Sequence, residues 1–348
     1  MKKMKFLGLN LVVGIFVLLL VGCQLTDTTE SNTDTSIAEK QIIKVGYFPN
    51  ITHSQAVVGI ADGTFQEYLG DEVEIEPITF NSGTSEMEAL FAGEIDIGNI
   101  GPVPAVNGYV KSEGEAIRII SGANSGGAVL VGQPEFAQEF KEKGAEALRG
   151  KKIASPSQGN TQDISLRNYI KENGLEGEVE ILPINNADQL TLFAQDEIDG
   201  SWVPEPWGTR FIIEADGELI IDERDLWPKG KFTTTHVIAN TEFLEEHPEL
   251  VKKYLEAHVE LTGWINDNPE EAQKIVNSEI ERLTTKKIPE EVLSKAWERI
   301  DVTVEPIKES VFAFADRDYE EGFLGEEELD LTNLYDLRIL NEITGKKY

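Results

Sequence analysis

The sequence predicts an α/β protein of two lobes followed by a helical C-terminal part, and three observations predict it. Short apolar runs alternate with helical periods from Ile42 onward, the same order of elements returns at Lys152, and beyond residue 250 helical stripes dominate. The 348 residues are 40% hydrophobic and 27% charged, a globular composition long enough for one or two domains. Acidic residues number 63 against 31 Lys and Arg, a formal charge of -32, so no basic face is available for phosphates and nucleic acid is excluded as a partner. The single cysteine removes disulfides, Cys-rich zinc sites and CxxC redox chemistry together.

Lys2, Lys3 and Lys5 precede a run over 6–21 that is apolar apart from Asn10, which reads as a secretion signal covering residues 1–22. The run is shorter than the ~20 residues that span a bilayer comfortably. Leu20-Val21-Gly22-Cys23 resembles the lipobox of bacterial lipoproteins, which implies a diacylglycerol-modified Cys23 and a membrane anchor. Residues 23–40, rich in Thr, Ser, Asp and Glu without a hydrophobic period, read as a disordered tether. Such a coil reaches on the order of 20–25 Å.

Lobe 1 begins with a strand at Ile43-Lys44-Val45-Gly46 and a helix whose face is Ala56, Val57, Ile60 and Ala61. A strand around Val73-Glu74-Ile75 follows. Ser82-Gly83-Thr84 then opens a helix with Met87, Leu90 and Phe91 as its buried stripe and Ser85 and Glu88 at capping-box spacing. Gly93 closes it and feeds the strand at Ile95 to Gly98. Lobe 2 repeats this order: strand Lys152-Ile153-Ala154, loop 155–161, a helix carrying Leu166, Tyr169 and Ile170, and strand Val179-Glu180-Ile181. Leu90-Phe91-Ala92 with Ile95-Asp96 recurs as Leu192-Phe193-Ala194 with Ile198-Asp199, and each copy runs into a proline-bearing turn, at Gly101-Pro102-Val103-Pro104 and at Val203-Pro204-Glu205-Pro206. The glycine-rich stretch 122–127 lies between two apparent strands and reads as a hinge or close backbone approach. These signals divide the chain into 41–132 (first part of lobe 1), 133–232 (lobe 2) and 233–348 (return to lobe 1 and C-terminal helices). Val251, Tyr254, Leu255, His258, Leu261, Thr262 and Ile265 form one helical stripe, Asn268-Pro269 caps the next helix, and two more follow on Val292, Ala296, Ile300 and on Ile307, Val311, Phe314.

Two polar loops, Ser82-Gly83-Thr84 and Gln158-Gly159-Asn160-Thr161, each open a helix, where free N–H groups and the helix dipole suit an anion. At matching places in two lobes they can clamp one anionic group across a cleft, or each loop can simply cap its helix. The acidic total does not forbid this, because net charge acts through solvent with a Debye length of about 8 Å whereas cleft donors act at contact. Trp202 reads as core, while Trp207 suits either core or a ligand wall. His247 and His258 read as structural. No nucleophile elbow, zinc-protease, P-loop or kinase run occurs, and no Asp, Glu or His cluster has metal-ligand spacing.

The segments VGYFPNITHSQAVVG, EIDIGNIGPVPA, SPSQGNTQDISLRNYI, VPEPWGTR and THVIANTEFLEEHPELVKKYLEAH together resemble the nitrate, sulfonate and taurine class of ABC-transporter substrate-binding proteins, above all aliphatic sulfonate-binding lipoproteins. The resemblance implies a type II periplasmic-binding-protein-like fold with a hinged cleft, no enzymatic activity, no cofactor, and a monomer delivering a small sulfonate to a permease driven by an ATPase. It implies a ligand lining of Asn50, His53, Ser82, Gly83, Thr84, Gly101, Pro102, Gln158, Gly159, Asn160, Thr161, Glu205, Trp207 and His236. Nitrate, bicarbonate or a thiamine pyrimidine precursor is the alternative ligand. A pyrimidine-forming enzyme on the same fold is the alternative from another class, although its cysteine-rich motif is absent. Glu205 either meets the ammonium of taurine or holds its own turn, with Arg210 as the expected partner.

Overall fold

The computed structural model describes residues 40–327 and 329–348. The expected leader, Cys23 and all of the expected tether except Lys40 lie outside the described residues. Two sheets organise the chain, and their strand orders explain the internal repeat. The first is built on β1 (Gln41–Tyr47), β2 (Val73–Thr79), β3 (Ile97–Ile100) and β4 (Ile117–Gly126), with α1 (Ser54–Ala61), α2 (Thr64–Leu69), α3 (Gly83–Phe91) and α4 (Pro102–Lys111) between them. The chain then passes through β5 (Ala128–Gly132) and α5 (Pro134–Lys143) into β6 (Lys152–Ser155), α6 (Thr161–Glu172), β7 (Glu180–Pro183), α7 (Asn186–Phe193), β8 (Gly200–Pro204), α8 (Trp207–Glu214) and β9 (Glu218–Asp222). It returns as β10 (Thr233–Asn240), then α9 (Thr241–Glu246), α10 (Pro248–Asp267), α11 (Pro269–Thr284), α12 (Glu290–Trp297), β11 (Ile300–Val302), α13 (Lys308–Glu320) and α14 (Arg338–Thr344).

The strand orders are β11-β4-β10-β3-β1-β2 and β7-β6-β8-β5-β9. In each, a central strand (β1 or β6) pairs in parallel on both sides. An antiparallel strand follows on one edge of that trio, β10 against β3 and β5 against β8. That fourth strand is donated by the other half of the chain: β5 arrives straight from the first sheet and β10 returns from the second. Two crossovers therefore join the halves, the geometry a hinge requires.

This topology corrects two expectations. The stretch 122–127 is mostly strand instead of a link between strands, because β4 continues to Gly126. The close backbone approach expected there holds, a Cβ on Gly122 running into the Glu305 carbonyl. The crossing itself is at Gly127, which with Gly126 has a positive φ (77° and 74°) that suits glycine. The first part of lobe 1 accordingly ends before β5, which pairs within the second sheet, and not at residue 132.

Smaller differences have local causes. Ser82, not Ser85, caps α3, its hydroxyl accepting the Ser85 N–H at 3.3 Å. Phe91 ends that helix 47% exposed, outside the buried stripe. Ala61, at the end of α1, is exposed as well. Ile300 lies in β11 rather than in a helix, and Ile307 is the residue before α13. Asn268 precedes α11 as expected, but its amide donates back to the Trp264 carbonyl at 2.9 Å instead of capping. Both proline-bearing segments are helix starts: Pro102 begins α4 outright, and Pro206 precedes α8.

One face of the first sheet buries β1 side chains against α1, α2, α10, α11 and α12, and the other buries side chains of β3, β4 and β10 against α3, α4 and α13. The second sheet is likewise packed on both faces. A fifth cluster of Val103, Ala128, Ile164, Trp227, Phe232 and Phe314 takes residues from both halves, so they are packed together in this structure.

Candidate functional site

The parallel strands deliver their carboxyl ends to the seam between the halves, where α/β sheets bind ligands. After β1 the chain makes a short helical turn, Ile51–His53, capped by Asn50, whose side chain accepts the Thr52 N–H at 3.0 Å. His53 is buried, stacks on Phe48 at 4.7 Å, and its Nδ1 accepts the Phe48 N–H at 3.4 Å. After β3 comes Gly101, and the side chain facing it belongs to the other half: a Cβ on Gly101 would stand 2.7 Å from Thr161 Oγ1 and 3.6 Å from the Thr234 carbonyl. Only glycine permits that approach.

The expected pairing of helix termini is thereby altered. The terminus of α6 meets the start of α4, while α3 stands one step back with Gly83 tight against Pro104. Donors at α4 are scarce because Pro102 and Pro104 carry no N–H. At α6, Asn160 accepts the Thr161 N–H at 2.9 Å, and Asp163 turns back to accept from Ser155 Oγ (2.7 Å), the Gly159 N–H (3.0 Å) and Arg167 Nε (2.8 Å). The helix therefore brings its own carboxylate to the loop, and what it offers across the seam is Thr161, 2% exposed with Oγ1 unpartnered.

Thr161 is one of several such groups. Across the first sheet, His236 of β10 stands opposite Ile100, the residue before Gly101, and Thr235 stands opposite Asn124 of β4. Thr235 Oγ1, Asn124 Oδ1 and both ring nitrogens of His236 are buried without a partner. Burial alone pushes the imidazoles of His53 and His236 down to about 3, so both are neutral at ordinary pH.

Ser82, Thr84, Gln158 and Gly159 lie further out. Thr84, Gln158 and Gly159 share a cavity of about 470 Å³ with Met87, Phe91, Asn107, Lys111 and Phe323, while Ser82 is committed to its helix cap. Trp207 begins α8, packs partly against the second sheet's core and lies 4.5 Å under the Arg210 guanidinium. Trp202 is core, its indole N–H donating to Glu223 at 2.7 Å.

Glu205 is fully buried, and its oxygens accept from the Thr209 N–H (2.9 Å), Thr209 Oγ1 (3.0 Å) and Arg299 Nη1 (3.0 Å). Burial raises its pKa against those three stabilising contacts. The cation is therefore Arg299, between α12 and β11, and not Arg210, which pairs with Glu214 at 2.9 Å. This ion pair ties the second sheet's end to the first sheet's return segment beside Gly126, whose added Cβ would stand 2.7 Å from the Arg299 carbonyl.

Sequence reasoning missed Asn124, Thr235 and Arg299. The first two sit in polar stretches of strand, Thr233 to His236 and Ser121 to Gly126, that carry no motif, and Arg299 occupies a stretch read as helix packing. Among the described residues no group of three or more His, Cys, Asp or Glu could hold a metal, and no helix is long and apolar enough to cross a membrane.

Comparison with known proteins agrees with this architecture. The profile of the family described as NMT1-like matches residues 36–279, more than half the chain. A taurine-binding periplasmic protein of Escherichia coli (strain K12) is 26% identical over 233 residues, 67% of this chain and 69% of the relative. A putative aliphatic sulfonates-binding protein of Bacillus subtilis (strain 168) is 23% identical over 292 residues, 82% of this chain and 81% of the relative. The crystal structure of the ligand-binding component of an ABC-type import system from Staphylococcus aureus superimposes with a TM-score of 0.72 at 18% identity, covering 87% of this chain and 99% of that one. The fold is that of the periplasmic binding proteins.

Proposed function

The chain belongs to the NMT1-like family, and on that premise we propose that it is the extracytoplasmic substrate-binding component of an ABC importer, closing on a small organic sulfonate between its two sheets. The observation that carries this reading is the set of buried side chains at the seam that can donate and have no partner: Thr161 Oγ1, Thr235 Oγ1 and the His236 imidazole. Leaving such groups unmade costs about 1–3 kcal/mol each, a cost that a ligand removes. The donors available there are hydroxyls and a neutral imidazole next to a helix terminus, which suits an oxyanion with many acceptor oxygens and no protons. The relatives named for taurine and for aliphatic sulfonates favour sulfonate over other oxyanions.

In this account the protein performs no chemistry on its ligand. Two crossovers let the second sheet swing toward the first, Thr161 meets Gly101 beside the sulfonate, and the closed form is what a permease with its ATPase receives. A lipid on Cys23 and the 23–40 tether keep the monomer at the membrane. Glu205, whose oxygens are already taken, holds the closed seam through Arg299 instead of contacting ligand. The test is a thermal-shift panel of taurine, ethanesulfonate, nitrate, bicarbonate and a pyrimidine precursor. A ligand at 100 times its dissociation constant adds about 2.7 kcal/mol. Stabilisation by the sulfonates supports the reading; stabilisation by nitrate, bicarbonate or the pyrimidine alone contradicts it.

A further inference from the structure

Helix α13 belongs to the packing of the first sheet through Val311 and Ala315, yet it also lies against α6 of the other half. Lys171 of α6 pairs with Glu320 at 2.9 Å, and the Arg167 guanidinium sits 5.6 Å over Phe323 just beyond α13. Within this contact is a carboxyl that the binding account does not use. Asp318 is fully buried; its Oδ2 accepts from Asn107 Nδ2 at 2.6 Å, and its Oδ1 has no partner. Asn107 and Phe323 also line the outer 470 Å³ cavity.

We propose that Asp318 is a proton-binding site that ties ligand capture to pH: bringing α6 onto α13 shuts its carboxyl away from water, and the closed form takes up a proton there. The proposal goes beyond the sulfonate reading and rests on its hinge alone. Three charged groups face the carboxyl: Lys111 from α4, Asp163 from α6 and Glu321 at the end of its own helix. Arg167 is engaged by Asp163 at 2.8 Å. Burial is the leading effect and, with repulsion from Asp163 and Glu321, holds the Asp318 pKa up at about 7 against the Asn107 hydrogen bond and Lys111. The unpartnered Oδ1 is where the proton resides.

The sign follows from linkage. With α6 moved away and the carboxyl wet, its pKa returns toward the ordinary value near 3.9. The closed form then binds the proton more tightly, so closure is most favoured below about 4 and loses that advantage as pH rises to about 7. A sulfonate stays ionised over this range, and His53 and His236 stay neutral down to about 3. Affinity should therefore weaken with rising pH, by up to about tenfold per unit between about 5 and 7, and level off above.

The experiment has two arms. Calorimetric titration with taurine from pH 5 to 8.5 should give a dissociation constant that rises and then levels in wild type, and one that stays at its acid-side value in Asp318→Asn. Removing the nearby cation in Lys111→Gln should move the midpoint to higher pH, a readout that survives if Asp318→Asn does not fold. Small-angle scattering of the ligand-free protein, run alongside, should show a more compact wild type at pH 5.5 than at 8.5, with no such change in Asp318→Asn. A pH-independent affinity together with a pH-independent radius overturns the proposal, as does a wild-type profile that Asp318→Asn reproduces. Absence of heat with taurine at every pH counts against the sulfonate reading, while the scattering arm still decides the proton site.

Discussion

Replacing Glu205 by Gln separates a seam-holding carboxylate from a ligand-binding one. In the protein, three donors converge on its two oxygens: Thr209 N–H at 2.9 Å, Thr209 Oγ1 at 3.0 Å and Arg299 Nη1 at 3.0 Å. Glutamine keeps the shape and one acceptor oxygen, but turns an NH2 toward groups that are themselves donors. Breaking a buried pair by removing one charge costs about 3–5 kcal/mol. Two features place Glu205→Gln at the lower end: the retained oxygen, and a carboxyl whose charged form burial already disfavours. The expected loss is about 3 kcal/mol. With a urea dependence near 3 kcal/mol per molar, that is a midpoint lowered by about 1 M in equilibrium unfolding. Arg299→Gln should cost at least as much, since it leaves the carboxylate buried with only Thr209. Calorimetry supplies the other half: because both oxygens are occupied, taurine and ethanesulfonate should lose affinity by the same factor. A loss of thirtyfold or more for taurine, with ethanesulfonate unchanged and the urea midpoint unmoved, would refute the reasoning and put Glu205 against the ligand's ammonium.

Wild-type protein expressed with its leader should partition into the detergent phase on Triton X-114 separation and Cys23→Ser into the aqueous phase, since the two acyl chains of a lipidated cysteine bind firmly where the polar tether cannot; equal partitioning removes the anchor. Thr161→Ala should weaken sulfonate binding by about 1–3 kcal/mol in a calorimetric titration while leaving the ligand-free unfolding midpoint unchanged, because its Oγ1 has no partner to lose. Thr84→Ala, exposed on α3, should change affinity less than Thr161→Ala. His53 and His236 are held to about 3, so these two sites bind more protons in the unfolded chain from about 6.5 downward and subtract stability as pH falls toward 3, against the stability that proton uptake at Asp318 adds between about 7 and 4. His236→Gln should remove its share, so the urea midpoint of the variant gains on wild type as pH falls below about 6.5; a pH-independent difference contradicts it.

The alternation of periods announced the two sheets, and the recurrence of Leu-Phe-Ala before Ile-Asp marked equivalent places, the ends of α3 and α7 before β3 and β8. What local pattern could not reveal was the exchange of strands between halves. Strands β4 and β5 are separated by one glycine, and although the glycine-rich stretch marks a break between them, pairing partners in a sheet are decided by distant chain. The loop that opens α6 was legible from its caps at Asn160 and Thr161, whereas Gly101 entered the candidate site only through the family resemblance. Ser82 capped its helix and Glu205 found a cation ninety-four residues away, at a distance no spacing rule reaches. Asn124 and Thr235 went unseen because each is one polar side chain among several in its stretch of strand; only their facing register and lack of partners mark them.

The most direct measurement is a crystal structure of the protein with ethanesulfonate at saturation. The expected result is a sulfonate group beside the Gly101–Thr161 contact, with a sulfonate oxygen within about 3.2 Å of Thr161 Oγ1. Sulfonate density confined to the outer cavity beside Lys111, or a seam closed without it, would contradict the central claim.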